Sequence, residues 1–194
     1  MSRIADQQLT LDPKKTALVL IDLQRAIVAR DTAPYKPFDV ITRAAKLAEA
    51  VRAAGGTVVY VHVLIGEFAN RITDEQRPPM PAQLPPGATE IVPEAGVQPG
   101  DIIIAKRQWG AFEGTSLDQQ LRRKGIDTII LGGIATNMGV ESTARAAQDI
   151  GYNLVFAEDA MSSMIAEWHQ FAVKNIFPRM GRVRSTEQII AALK

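Results

Sequence analysis

The sequence has no cysteine. This excludes disulfides, thiolate metal sites and a thiol nucleophile. Charge of a prevailing sign is also missing, since 22 Lys and Arg stand against 21 Asp and Glu in 194 residues. Such a balance gives no broad field for nucleic acid or an anionic membrane. No segment approaches the roughly 20 apolar residues of a membrane span, and the opening MSRIADQQLTLDPKK has no apolar run after its early arginine. Histidine is sparse, at two residues. What remains is chemistry on a small molecule, in the cytoplasm, with neither nucleic acid nor membrane as partner. The length suits a single domain over residues 1–194.

The richest stretch is TIILGGIATNMGVEST, residues 128–143. Ile129, Ile130 and Leu131 form the apolar run of a strand buried on both faces, and Gly132 and Gly133 are expected to end it in a turn. After Asn137 the positions Val140, Thr143, Ala144 and Ala147 recur at helical spacing. The free N–H groups of that helix's first turn should point back at the strand's carboxyl end, where they can hold an anion or a developing oxyanion.

Further strands are expected at residues 16–22 (TALVLID), 57–64 (TVVYVHVL), 101–106 (DIIIAK), 153–159 (NLVFAED) and, short, 182–184. The third of these reads as buried. Helices should fill the intervals: 40–54, ended by Gly55 and Gly56, then one with an N-cap near Thr115 and with Leu117 and Leu121 inward, then 163–175 and 186–193. In the helix over 163–175, Ile165, Trp168, Phe171 and Ala172 form the apolar side. Residues 31–39, with Pro34 and Pro37, read as loop. The alternation predicts an α/β fold: a three-layer α/β/α, Rossmann-like arrangement whose mostly parallel six-stranded sheet carries helices on both faces. One edge of that sheet should then bring together Asp22, Lys106 and the corner after Gly133.

Two features stand apart. Residues 66–100 contain seven of the 11 prolines, a long excursion of the kind that covers pockets or partner subunits. The two histidines read as non-catalytic: His62 as a hydrogen-bonded core residue of its strand, His169 as a surface or interface residue.

LVLIDLQ around Asp22, KRQWGAFEGTSL around Lys106 and GIATNMGVESTA after the fourth strand, in that order, resemble the three motifs of the isochorismatase-like hydrolases, the cysteine hydrolase superfamily, across nearly the whole chain. In that family an Asp, a Lys and a nucleophilic Cys converge. The resemblance carries the Asp to Asp22, the Lys to Lys106 and the nucleophile to Gly139, which has no side chain with which to form a thioester. It implies substrate-binding positions at Gln24, Trp109, Ile134, Ala135, Thr136 and Asn137, and a cis peptide between Ile134 and Ala135. Thr143 matches a structural position of the family. The family's metal-binding members carry an Asp-x-His pair after the second strand; here the region reads YVHVLIGEF, so neither metal nor other cofactor is expected. Family members commonly assemble, and Trp168 and Phe171 are the aromatic anchors expected in a homo-oligomer.

Two functions fit these residues. In one, the protein is a non-thiol hydrolase with Asp22 as general acid or base beside Lys106, as in family members that cleave a vinyl ether with water as nucleophile. In the other, turnover is lost and a small-molecule-binding or assembly protein remains on the same scaffold. The hydrolase is the preferred expectation.

Overall fold

The computed structural model describes residues 8–68, 72–75 and 83–194. Pro78, Pro79 and Pro81 of the Pro-rich excursion, and the first seven residues, lie outside the described residues. Six strands, β1 (Thr16–Ile21), β2 (Thr57–Val63), β3 (Ile102–Lys106), β4 (Thr128–Ile134), β5 (Asn153–Ser162) and β6 (Gly181–Arg184), form one sheet in the order β3-β2-β1-β4-β5-β6. Every pairing is parallel. The helices are α1 (Arg25–Val28), α2 (Pro37–Ala53), α3 (Leu117–Arg123), α4 (Glu141–Asp149), α5 (Ala166–Phe171) and α6 (Thr186–Ala192).

Alternation along β1 builds the two cores. Leu18 and Leu20 face one side, with Val40, Ala44, Leu47 and Val51 of α2 and Ile189 of α6. Ala17, Val19 and Ile21 face the other, with Leu117 and Leu121 of α3 and Val140, Ala144 and Ala147 around α4. The period of 2 in the strands and of 3.6 in the helices thus yields three layers. β1 sits at the centre with all six residues buried. The strand order steps outward from it in both directions, so the loops after β1 and β4 open at the switch point where such sheets place ligands.

Several details differ from the sequence reading. β3 is an edge strand, and Ile103 is 47% exposed; its apolar run is not buried on both faces. Gly132 and Gly133 lie inside β4, which continues to Ile134. Gly133, at φ +119, is there because a Cβ would lie 2.1 Å from the Ile21 carbonyl oxygen. α2 begins at Pro37, inside the expected loop, because proline suits the first helical turn. α4 is entered through one wide turn, Thr136–Val140. The helix expected over 163–175 is divided into α5 and a second wide turn, Ala172–Ile176. Its facing also differs: Ile165, Trp168 and Phe171 are exposed, while His169 and Ala172 turn inward.

Candidate functional site

Asp22 follows the last residue of β1 and takes a left-handed backbone, φ +54, a region that costs a side-chain-bearing residue energy and is held here by its neighbours. Its N–H donates to the Val61 carbonyl at 2.8 Å. Lys106 ends β3, two strands away, and its long side chain crosses the end of β2 to place Nζ 2.8 Å from Asp22 Oδ2. Nζ also donates to the Trp109 carbonyl at 2.6 Å. The lysine side chain is 1% exposed and the aspartate's 10%, so solvent reaches the pair only at the carboxylate. Oδ1 of Asp22 is buried and has no hydrogen-bond partner among the described residues.

Burial dominates the electrostatics of this pair. It pushes the Asp22 carboxyl up from 3.8 to about 6, against the lowering effect of the Lys106 charge and hydrogen bond. It also lowers the Lys106 ammonium, with Asp22 opposing. Both shifts favour the neutral forms, as expected where desolvation exceeds the attraction within the pair.

The corner after β4 closes the site. The Ile134–Ala135 peptide is cis. The N–H groups of Met138 and Val140 donate to the Ala135 carbonyl at 3.1 and 3.2 Å. Two of the first-turn donors expected to be free for an anion are therefore already engaged. Gly139 is buried. A Cβ on it would lie 3.2 Å from Asp22 Oδ2, 3.2 Å from Lys106 Nζ and 2.8 Å from Ile21 Cγ2. The three strand ends expected at one edge, Asp22, Lys106 and the corner at 139, do meet. The Gly139 carbonyl accepts from Thr143 Oγ1 at 2.7 Å, and that hydroxyl accepts from Ala111 N–H at 3.1 Å. Thr143 thereby ties the corner to the segment following Lys106.

The remaining expected site residues divide. Gln24 is fully buried, with its amide donating to the Val63 carbonyl and accepting from the Val63 N–H. It extends β2 as a side-chain strap, with one hydrogen bond made at each end of its amide. Trp109 is 43% exposed and meets Lys106 through its carbonyl. Ile134 and Ala135 are buried at the corner itself. Thr136 is buried with its hydroxyl bonded to His169 Nδ1 at 2.8 Å, and Asn137 Oδ1 accepts from Ser163 Oγ.

His169 is a correction: it is 3% exposed and belongs to the interior beside the corner, where burial pushes its imidazole down to about 4. It and Ser163 were missed because nothing in their local pattern marks a partner some thirty positions earlier in the chain. His62 is hydrogen-bonded as expected, its Nδ1 2.9 Å from the Thr89 carbonyl oxygen, but it is half-buried and stands outside both cores. Among the described residues no group of three or more His, Cys, Asp or Glu could hold a metal, and no helix is long and apolar enough to cross a membrane.

Residues 16–188 match the family description Isochorismatase domain. The chain is 49% identical over 187 residues to the isochorismatase family protein YecD of Escherichia coli O157:H7, covering 95% of this chain and 100% of that protein. It is 32% identical to the ureidoacrylate amidohydrolase RutB of Rhizobium rhizogenes, over 96% of this chain and 87% of the relative. Among solved structures, an isochorismatase family protein from Burkholderia thailandensis superposes with a TM-score of 0.89 at 44% identity, covering 96% of this chain and 99% of that one.

Proposed function

Because the chain belongs to the isochorismatase family, we propose that it is a hydrolase of a small molecule that works without a covalent thiol intermediate, with Asp22 as general acid and base and Lys106 as its partner. The observation that carries this reading is how closely position 139 approaches the Asp22–Lys106 pair without a side chain of its own. A Cβ there would lie 3.2 Å from both Asp22 Oδ2 and Lys106 Nζ and 2.8 Å from Ile21 Cγ2, so the corner's backbone reaches the pair where the family carries its nucleophile, and glycine supplies none. Against that position lies a carboxyl pushed up to about 6, its Oδ1 without a hydrogen-bond partner among the described residues, able to hold a proton or give one near neutral pH.

On a vinyl ether, protonated Asp22 transfers its proton to the terminal alkene carbon, leaving an oxocarbenium ion. Water then adds to the cationic carbon and returns a proton to Asp22, and the hemiketal collapses to a ketone and an alcohol. On an amide, the Asp22 carboxylate removes a proton from water as it attacks the carbonyl carbon, and delivers that proton to the departing nitrogen. Lys106 keeps Asp22 Oδ2 in place through either course. The amidohydrolase activity for which RutB is named, on ureidoacrylate, makes amides part of the panel to be tested.

A second reading, a binding or assembly protein without turnover, draws on the same missing side chain and on the exposed Ile165, Trp168 and Phe171. Turnover of vinyl ethers, amides and esters, measured beside Asp22→Ala, separates the two. Hydrolysis lost in the variant supports the enzyme; binding of a panel compound with no hydrolysis by wild type supports the second reading.

A further inference from the structure

The corner at 134–139 is gripped from a second direction, by a segment no part of the proposed chemistry uses. Residues 163–169 follow β5, the strand next to β4. Ser163 Oγ donates to Asn137 Oδ1, and His169 Nδ1 is 2.8 Å from Thr136 Oγ1. Two consecutive corner residues are thus held by side chains from one short stretch, while Thr143 holds the Gly139 carbonyl. Thr136 is 0% exposed and His169 3%. The imidazole also meets the Tyr35 ring edge to face at 5.8 Å, and Tyr35 is itself fixed by Ser162, whose Oγ accepts from its N–H and donates to its carbonyl.

A phenyl ring, though somewhat larger, could pack against Tyr35 as well but carries no polar atom. The imidazole nitrogen instead completes the bond to the fully buried Thr136 hydroxyl, and a buried hydroxyl without a partner costs free energy. Burial keeps the ring neutral, so it can give or take this bond without bringing a charge into the corner.

We propose that His169 is a positioning residue: through the Thr136 hydroxyl it sets how the 134–139 corner stands against Asp22 and Lys106. The inference rests on the proposed function, because it assumes that the corner is the wall of the reacting site. Errors of an ångström in such walls are costly to rate.

The test uses a reporter thiol, Gly139→Cys, in a chain that has no other cysteine, and reads the rate of iodoacetamide alkylation against pH together with Tm. In the reporter background, His169→Phe should lower the plateau rate about tenfold and move the apparent thiol pKa. Thr136→Val should do the same, and the two together no more than either alone. His169→Asn, whose amide occupies the place of Nδ1, should restore the profile. If His169→Phe lowers Tm while its profile superimposes on the reporter's, the residue is only structural and the inference is overturned. If His169→Phe does not fold, the profile of Thr136→Val decides between the same two outcomes. A reporter inert to alkylation in the folded state overturns this inference and the proposed function together; a reactive reporter indifferent to both variants removes the inference alone.

Discussion

Replacing Gly139 by cysteine supplies the side chain that the proposed site lacks. The new Cβ would sit 3.2 Å from Asp22 Oδ2 and from Lys106 Nζ, tight contacts that both side chains can yield to, and 2.8 Å from Ile21 Cγ2. Ile21 is fully buried at the end of the central strand, so it must turn or shift. Overpacking of this kind costs about 1–3 kcal/mol, which for a chain of this size lowers Tm by roughly 2–12 °C. Gly139→Ala carries the same Cβ and isolates that steric part. For the thiol, the Lys106 charge and the amino end of α4 favour the thiolate, while the Asp22 carboxylate opposes it.

Intact-mass spectrometry after exposure to an activated ester should show one acyl adduct on Gly139→Cys and none on Gly139→Ala or wild type. Adding Asp22→Asn should lower the apparent thiol pKa, since an opposing negative charge is gone. The same addition should weaken turnover of the adduct, since its proton partner is gone. A folded Gly139→Cys that stays unmodified, yet labels once denatured in urea, would show that position 139 does not face the reacting space and would refute the reasoning.

The raised Asp22 carboxyl has a stability consequence. Its folded value, about 6, lies above the ordinary 3.8, so its contribution is complete below pH 3.8 and is lost as pH rises through 6, an effect of about 3 kcal/mol. Denaturant melts of wild type and Asp22→Asn between pH 4 and 7 should therefore shift in the variant's favour by about that amount, and a constant difference would contradict it. For a vinyl ether substrate, kcat/KM should fall about tenfold per pH unit above pH 6, as the general acid loses its proton; a rate flat to pH 8 would remove Asp22 from that role. Thr143→Val leaves the Gly139 carbonyl and the Ala111 N–H without their buried partner and should destabilise by about 1–3 kcal/mol in urea unfolding. Finally, if copies of the chain meet over the exposed side of α5, Trp168→Glu with Phe171→Glu should reduce the mass measured by light scattering at micromolar concentration, while a wild-type monomer would exclude that assembly.

The sequence by itself determined the layers and the order of strands and helices along the chain. Apolar runs of five to seven residues alternating with helical spacing admit a parallel sheet covered on both faces, and the right-handed crossover sends each strand's carboxyl end to one edge. Asp22 and Lys106 were legible for that reason, one just after and one at a strand end, whereas Gly139 was legible only through the motif it shares with the family. What the sequence could not decide were contacts between residues far apart in the chain and the exposure of residues whose types are ambiguous. The isoleucines of β3 look like a buried strand, and only the strand order puts them at an edge. Trp168 and Phe171 share helical spacing with Ala172, yet the break after Phe171 and the pull of Thr136 on His169 turn the imidazole inward and the aromatics out. Gln24 stands two residues after Asp22 in the chain, but its amide is taken up by the N–H and carbonyl of buried Val63 at the end of β2. The Asp22 carboxyl was the most finely balanced case, because Lys106 lowers its pKa and burial raises it. Only the packed tertiary structure, with solvent reaching little beyond one carboxylate face, makes burial prevail.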